Sequence, residues 1–146
     1  MELSKLLEFK VNLEPFMQLL DSAKQQPEPQ RLLFVFASAE LPADATQEQR
    51  LAFEQGDGGS LSPVLCVDKL PEQLSDFTSL IAESKQTGKA WDVVFVAGLS
   101  GRAGIAPSSD EATQPLQLMV EAIKDGRIGQ FMVLSCQGEM LTLVKE

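Results

Sequence analysis

The segment from Gly98 to Gly104 is the part of this sequence whose residue types and spacing best suit the binding of a ligand. Glycines lack a Cβ atom, so backbone amides in such a segment can approach a ligand closely. Arg102 adds a guanidinium fork that fits phosphate or carboxylate, and a helix expected just after this segment favours an anion at its N-terminus. We therefore predict an anion site made of Gly98, Ser100, Gly101, Arg102 and Gly104. The alternative is a connecting loop in which the glycines only turn the chain.

Further polar residues follow the other predicted strands. Glu40 follows the first strand, and Asp68 and Lys69 follow the second. Ligands of open α/β sheets bind outside the carboxyl ends of the strands. Convergence of Glu40, Asp68 and Arg102 in one deep pocket would therefore indicate a small enzyme. Asp68 has an alternative role as the N-cap of a helix that opens near Pro71.

The absence of histidine and tyrosine from the sequence excludes several classes of active site. Ser-His-Asp triads, Cys-His dyads and HExxH zinc sites all need histidine. The glycine spacing of the 98–104 segment is G-x-x-G-x-x-G, which is neither the Rossmann nor the P-loop pattern. With two cysteines and no histidine, we predict no metal site and no cofactor. A non-catalytic binding or regulatory module is the preferred prediction, and a histidine-independent enzyme that uses the strand-end carboxylates and Arg102 stays open.

The charge balance argues against nucleic acid and anionic membranes as partners. The chain has 21 acidic and 12 basic residues, a net charge of -9, and no cluster of three Lys or Arg residues. Binding to phosphate backbones needs such a basic patch. The predicted partners are a small anionic ligand or another protein. The charged residues among positions 1–11 fit neither a signal peptide nor a membrane span.

Two cysteines within apolar runs, Cys66 and Cys136, indicate the compartment. Such residues are typical of reduced, buried thiols in proteins of a reducing environment. We therefore predict that both thiols are free and mostly buried, and that the protein is cytoplasmic.

Apolar runs alternate with helical spacings along the chain. The runs predict strands at Leu32–Ala37, Val64–Val67, Trp91–Ala97, Phe131–Leu134 and Met140–Val144. Helices are predicted at 13–24 with Asn12 as N-cap, at 46–55 with a Thr46 capping box, from Pro71 onward, and from near Asp110 or from Pro115.

This alternation predicts one domain over residues 1–146, a three-layer α/β/α arrangement. Its mixed sheet has about five strands, mostly parallel, with an antiparallel hairpin at the C-terminal end. The last strand, Met140–Val144, is apolar on both faces, a pattern poorly suited to a solvated edge. We therefore predict a homodimer that forms through this edge.

Four stretches carry a resemblance to a known family: Pro27–Ala37, Leu65–Lys69, Gly98–Gly104 and Met119–Lys124. Over most of its length the chain resembles a family of small, uncharacterised proteobacterial proteins often labelled "ribonucleotide reductase subunit alpha". The residues give that label no support as an activity, because the genuine catalytic subunit is several times longer and needs more cysteines than the two present. The resemblance implies no catalytic residue, and its label suggests only an accessory role in nucleotide metabolism.

Overall fold

Helices and strands alternate along the parts of the chain that the structure, a computed structural model, describes: residues 14–40, 46–54 and 60–141. The helices are α1 (Glu14–Lys24), α2 (Gln47–Glu54), α3 (Phe77–Lys85) and α4 (Ser109–Lys124), with a 3-10 turn at Pro71–Gln73. The strands are β1 (Gln30–Glu40), β2 (Ser60–Lys69), β3 (Val93–Ser100), β4 (Met132–Ser135) and β5 (Met140–Leu141).

These strands form one sheet in the order β2-β1-β3-β4-β5, and every neighbouring pair is antiparallel. The prediction of a mixed, mostly parallel sheet is therefore wrong. β2 and β3 do run in the same direction, but β1 lies between them and runs the opposite way. The connections that contain α2 and α4 each begin and end at one end of the sheet, so the strands they join are antiparallel neighbours.

Helices cover both faces of the sheet. Alternate side chains of β1 therefore enter two different cores, one on each face. Phe34 lies on the face covered by α1 and α3, together with Phe16 and Phe77, whose ring centroids are 5.3 Å apart. Leu33 and Val35 lie on the opposite face and pack against α4. The layers are therefore helix, sheet and helix, and the continuous apolar run of β1 reflects burial on both sides.

The first residues of the helices test the predicted caps. Thr46 caps α2 as predicted, because its hydroxyl accepts the Gln49 N–H at 3.1 Å and the Gln49 side chain accepts the Thr46 N–H at 2.8 Å. The helix predicted from Pro71 is confirmed over α3, but its predicted start is wrong, because Pro71 lies in the 3-10 turn. Asp76 caps α3 by accepting an N–H of its first turn. Asp68 is therefore not the cap of this helix.

α4 begins at Ser109 and so contains Pro115 within it, which confirms the earlier of the two predicted starts. Ser108 is the N-cap and forms a capping box with the third residue of the helix. The first predicted helix is confirmed over Glu14–Lys24, and its predicted cap, Asn12, lies outside the described residues. None of the described helices has the length and apolar character needed to cross a membrane.

The C-terminal hairpin is confirmed. β4 pairs with β5, and the Ser135 N–H donates to the Glu139 carbonyl at 2.9 Å. β5 lies at the edge of the sheet with Met140 exposed, and residues 142–144 of the predicted strand lie outside the described residues. The homodimer through this edge stays a prediction.

Both cysteines are unpaired and exposed, so the prediction of buried thiols is wrong. Cys66 lies on β2, which within the described part of the chain has a neighbouring strand on one side only. Cys136 lies in the turn between β4 and β5. An apolar run predicts a strand, but it does not distinguish a central strand from an edge strand.

We expect both cysteines to react with iodoacetamide in the native protein, Cys66 more slowly than Cys136 at about pH 8. Surrounding protein atoms desolvate the Cys66 thiol and raise its pKa, which lowers the fraction of reactive thiolate. Peptide mass spectrometry measures both rates, and in the urea-unfolded control they should converge. Equal rates in the native protein would contradict the effect of desolvation on the pKa of the Cys66 thiol.

Candidate functional site

The predicted anion segment consists of the end of a strand and a tight turn. Gly98 and Ser100 belong to β3, where they pair with Leu32 and Gln30 of β1. The turn follows, and the Arg102 N–H donates to the Ile105 carbonyl at 3.0 Å while the reverse bond is 2.9 Å. The segment is therefore held by backbone hydrogen bonds on both sides of the turn.

The two central residues of this turn, Ala103 and Gly104, have φ angles of 53° and 78°. Two positive values in succession are typical of a type I′ turn, the usual connection in tight hairpins. Glycine adopts this conformation without strain, whereas alanine rarely does. The turn therefore holds Arg102 and Gly104 in a fixed arrangement.

An anionic group of the protein itself contacts the turn. The Gly104 N–H donates to the two carboxylate oxygens of Glu28, at 3.0 and 3.4 Å. The Gly101 N–H donates to the Pro29 carbonyl at 2.8 Å. Two of the predicted amides are therefore engaged by the Glu28–Pro29 segment, and an external anion at Gly104 would have to displace the Glu28 carboxylate.

Arg102 has an exposed side chain that makes no ion pair with the described residues. It remains available to a ligand from solvent. Binding of an anion by Arg102 and the amides of the turn stays a prediction.

The strand-end residues do not converge. Asp68 lies opposite Leu33 on β1, whereas Glu40 lies opposite Ser60 at the other end of the same strand. The two positions are seven steps apart along β1, about 23 Å at the usual rise of a strand. Glu40, Asp68 and Arg102 therefore do not share the one deep pocket that would have indicated an enzyme, because antiparallel strands present their carboxyl ends at alternate ends of the sheet.

Asp68 and Lys69 each form an ion pair. The Arg31 guanidinium contacts the Asp68 carboxylate at 2.6 Å through Nη1 and donates through Nε to the Pro107 carbonyl at 2.7 Å. Lys69 contacts Glu83 at 2.8 Å. Both candidate residues therefore help to join strands and helices. Across the described residues, no group of three or more His, Cys, Asp or Glu side chains could hold a metal ion.

Sequence reasoning missed Arg31 and Glu28. The sequence did contain a signal for Arg31. Arg31 directly precedes the apolar run Leu32–Ala37, and Asp68 directly follows the next apolar run. An antiparallel pairing of those two strands would have predicted the ion pair. Glu28 lies between Pro27 and Pro29, which favour an extended backbone, but nothing in the sequence indicates that it reaches Gly104.

A groove of about 490 Å³ lies beside β3, on the face of the sheet that α1 covers. Its lining includes three glutamine side chains, Gln26, Gln30 and Gln130, and the apolar residues Leu32 and Phe131. The described residues that line this groove carry no charged side chain. The groove is therefore suited to an uncharged group that both donates and accepts hydrogen bonds.

The chain matches no protein-family model, no curated protein and no solved structure. Its structural class is α/β, with a five-stranded antiparallel sheet in the described residues and helices on both faces. The resemblance to the small proteobacterial family stays a prediction.

Proposed function

We propose that this protein is a non-catalytic binding or regulatory module whose anion site is the segment from Gly98 to Gly104. The observation that most supports this proposal is the hydrogen bond from the Gly104 N–H to the Glu28 carboxylate. This amide already contacts an anionic group. The exposed side chain of Arg102, two residues earlier in the sequence, is available to bind the same ligand. Glu28 then acts as an internal competitor that an external phosphate or carboxylate replaces.

The positions of the other candidate residues favour binding over catalysis. Asp68 and Lys69 are engaged in ion pairs, and Glu40 lies at the opposite end of the sheet. General acid–base catalysis needs a positioned group within reach of the reacting atoms. An enzyme built from these carboxylates and Arg102 would need them in one pocket.

The proposal also includes the partners, the oligomeric state and the cellular location of the protein. Its partners are a small anionic ligand or another protein, and the β5 edge is the proposed surface for a homodimer. The two unpaired cysteines support a cytoplasmic location, because reducing compartments keep thiols free.

We expect phosphate to shift the backbone amide signals of Arg102 and Gly104, and Glu28→Gln to tighten this binding about five- to tenfold. The substitution removes the charge that competes for the Gly104 amide, and charge-assisted hydrogen bonds are about twice as strong as neutral ones. Arg102→Ala should weaken phosphate binding about tenfold, since it removes the nearby guanidinium. Amide chemical shifts followed during a phosphate titration measure all three affinities.

Glu139→Gln is the matched control, because Glu139 is an exposed acid in the C-terminal hairpin and the same net charge is lost. Its phosphate affinity should equal that of the unmodified protein. Shifts at other residues, or binding that persists unchanged in Arg102→Ala, would overturn the proposed site and leave a connecting turn.

A further inference from the structure

Among the described residues, the C-terminal part of β3 has a neighbouring strand on one side only. The pairing of β3 with β1 continues to Ser100, whereas its pairing with β4 stops at Val96 opposite Met132. Residues 97–100 therefore have one open edge within the described part of the chain. Four residues of strand give an edge about 13 Å long.

The backbone groups at this open edge belong to Gly98 and Ser100. The Gly101 N–H donates to the Pro29 carbonyl, on the β1 side. Backbone groups of successive residues in a strand point in opposite directions, so those of Leu99 and Ala97 also point to β1. The N–H and C=O groups of Gly98 and Ser100 then point to the open side, and both residues are exposed.

The groove of about 490 Å³ is directly beside these groups, because Gly98 and Ala97 are part of its lining. Gln130, on its other side, has an exposed side chain without a hydrogen-bond partner among the described residues. Glutamine both donates and accepts hydrogen bonds, as a peptide backbone does. Leu32 and Val96 also line the groove and give it an apolar surface.

We propose that the open edge of β3 and the groove beside it bind a short, extended, uncharged peptide segment of a partner protein. The segment adds a strand next to Gly98 and Ser100, the mode of recognition in which backbone hydrogen bonds provide affinity. Every second side chain of the segment points into the groove, because alternate residues of a strand share a face. These side chains are apolar, because they pack against Leu32 and Val96. This inference rests on the proposed binding function and names a class of partner for it.

The proposal first predicts the state of the free protein. The Gly98 and Ser100 amides should exchange with solvent at least about tenfold faster than the Ala97 and Leu99 amides, since only the latter are paired with β1. Protection of Gly98 and Ser100 that increases with protein concentration would assign the edge to a second copy of the chain. Protection at every concentration would mean that the edge is already covered, and either result would overturn the proposal.

The binding test uses an acetylated and amidated pentapeptide of alternating threonine and valine. We expect saturable shifts of the Gly98 and Ser100 amides and an at least tenfold slowing of their exchange at saturation, roughly the protection that a formed ladder gives. A probe with aspartate in place of threonine should bind more weakly, because the described lining is uncharged. Shifts centred on the β2 edge, or no saturable shift, would overturn the proposal.

Two variants make the test specific. Gly98→Leu places a side chain in the groove, and its Cβ would lie 3.1 Å from Oε1 of Gln30, the movable end of a side chain. Ser100→Pro removes an outward N–H and keeps the hydrogen bonds to β1, because a strand tolerates proline where its N–H faces away from the neighbouring strand. Each should reduce binding of the threonine–valine probe about tenfold or more. Ala90→Leu, an exposed position before the other end of β3, is the control and should bind normally.

The outcomes separate this inference from the proposed function. If the unmodified protein binds phosphate as proposed but shows no saturable binding of the pentapeptide, the peptide site alone is overturned. A chemical change in the pentapeptide, detected by mass spectrometry after incubation, would overturn the non-catalytic function itself. Equal pentapeptide binding by Gly98→Leu and Ala90→Leu would overturn the placement of the peptide in the groove.

Discussion

Gly101→Ala should lower the free energy of unfolding by about 3 kcal/mol, the upper end of the usual cost of overpacking. A Cβ atom at this position would overlap the carbonyl oxygen of Ile105 and lie 2.9 Å from its carbonyl carbon. It would also lie 3.0 Å from the Ala106 Cα. These are backbone atoms, so no change of rotamer can relieve the contact, and the turn that follows Gly101 must move.

Movement of this turn would also weaken hydrogen bonds outside the immediate contact. The Arg102–Ile105 hydrogen bonds close the turn, and the chain continues directly to Pro107, whose carbonyl accepts from Arg31. Urea unfolding followed by circular dichroism measures the loss of stability. Gly129→Ala is the control, because a Cβ there meets no atom within 4 Å, and it should change the stability by less than about 0.5 kcal/mol. A similar midpoint for both variants would contradict this account.

The apolar runs correctly indicated burial of β1 and β3 but wrongly predicted a buried β2, and they did not indicate the direction of any strand. β1 is apolar throughout its centre because helices cover both of its faces. Parallel sheets commonly give this pattern, but any strand covered on both faces produces it. The run Leu32–Ala37 therefore reports the number of covered faces and carries no information on whether its neighbours are antiparallel.

Whether a strand runs parallel or antiparallel to the preceding one depends on the end of the sheet at which the chain that connects them finishes. α3 joins two strands that do run in the same direction, as a helical crossover usually does. β1 precedes both strands in the sequence and lies between them, and helical spacing alone cannot predict that placement. The predicted sheet was wrong for this reason, and Glu40 and Asp68, which lie near the C-terminal ends of antiparallel neighbouring strands, are at opposite ends of the sheet.

The turn within the candidate segment was predictable from the sequence, but the hydrogen bonds that hold it were not. The glycines marked a turn, and the structure has one at Arg102–Ile105. Its central residues are Ala103 and Gly104, whereas the pairs that usually signal a type I′ turn are Asn-Gly or Asp-Gly. The contact of Glu28 with Gly104 joins residues 76 positions apart, and such contacts depend on the whole sheet.

Asp68→Ala should lower the free energy of unfolding by about 2–3 kcal/mol, although Asp68 is neither a helix cap nor part of a catalytic cluster. The Asp68 and Arg31 side chains are only 19% and 12% exposed, so the substitution leaves a nearly buried guanidinium without its counter-ion. Removal of one partner from a fully buried pair costs about 3–5 kcal/mol, and the remaining exposure reduces the expected cost here.

A double substitution separates the cost of an unpaired charge from the value of the pair. Arg31→Met combined with Asp68→Leu should recover part of the lost stability, because apolar side chains of similar volume often replace a buried pair at little cost. Recovery stays incomplete, since the buried Pro107 carbonyl loses the hydrogen bond from Arg31. Arg127→Ala is the control: its pair with Asp125 is 63% exposed on both sides, and its loss should cost under about 0.5 kcal/mol. Urea unfolding of the four proteins measures these differences, and an Asp68→Ala variant as stable as Arg127→Ala would show that the Arg31–Asp68 pair does not hold β2 against β1.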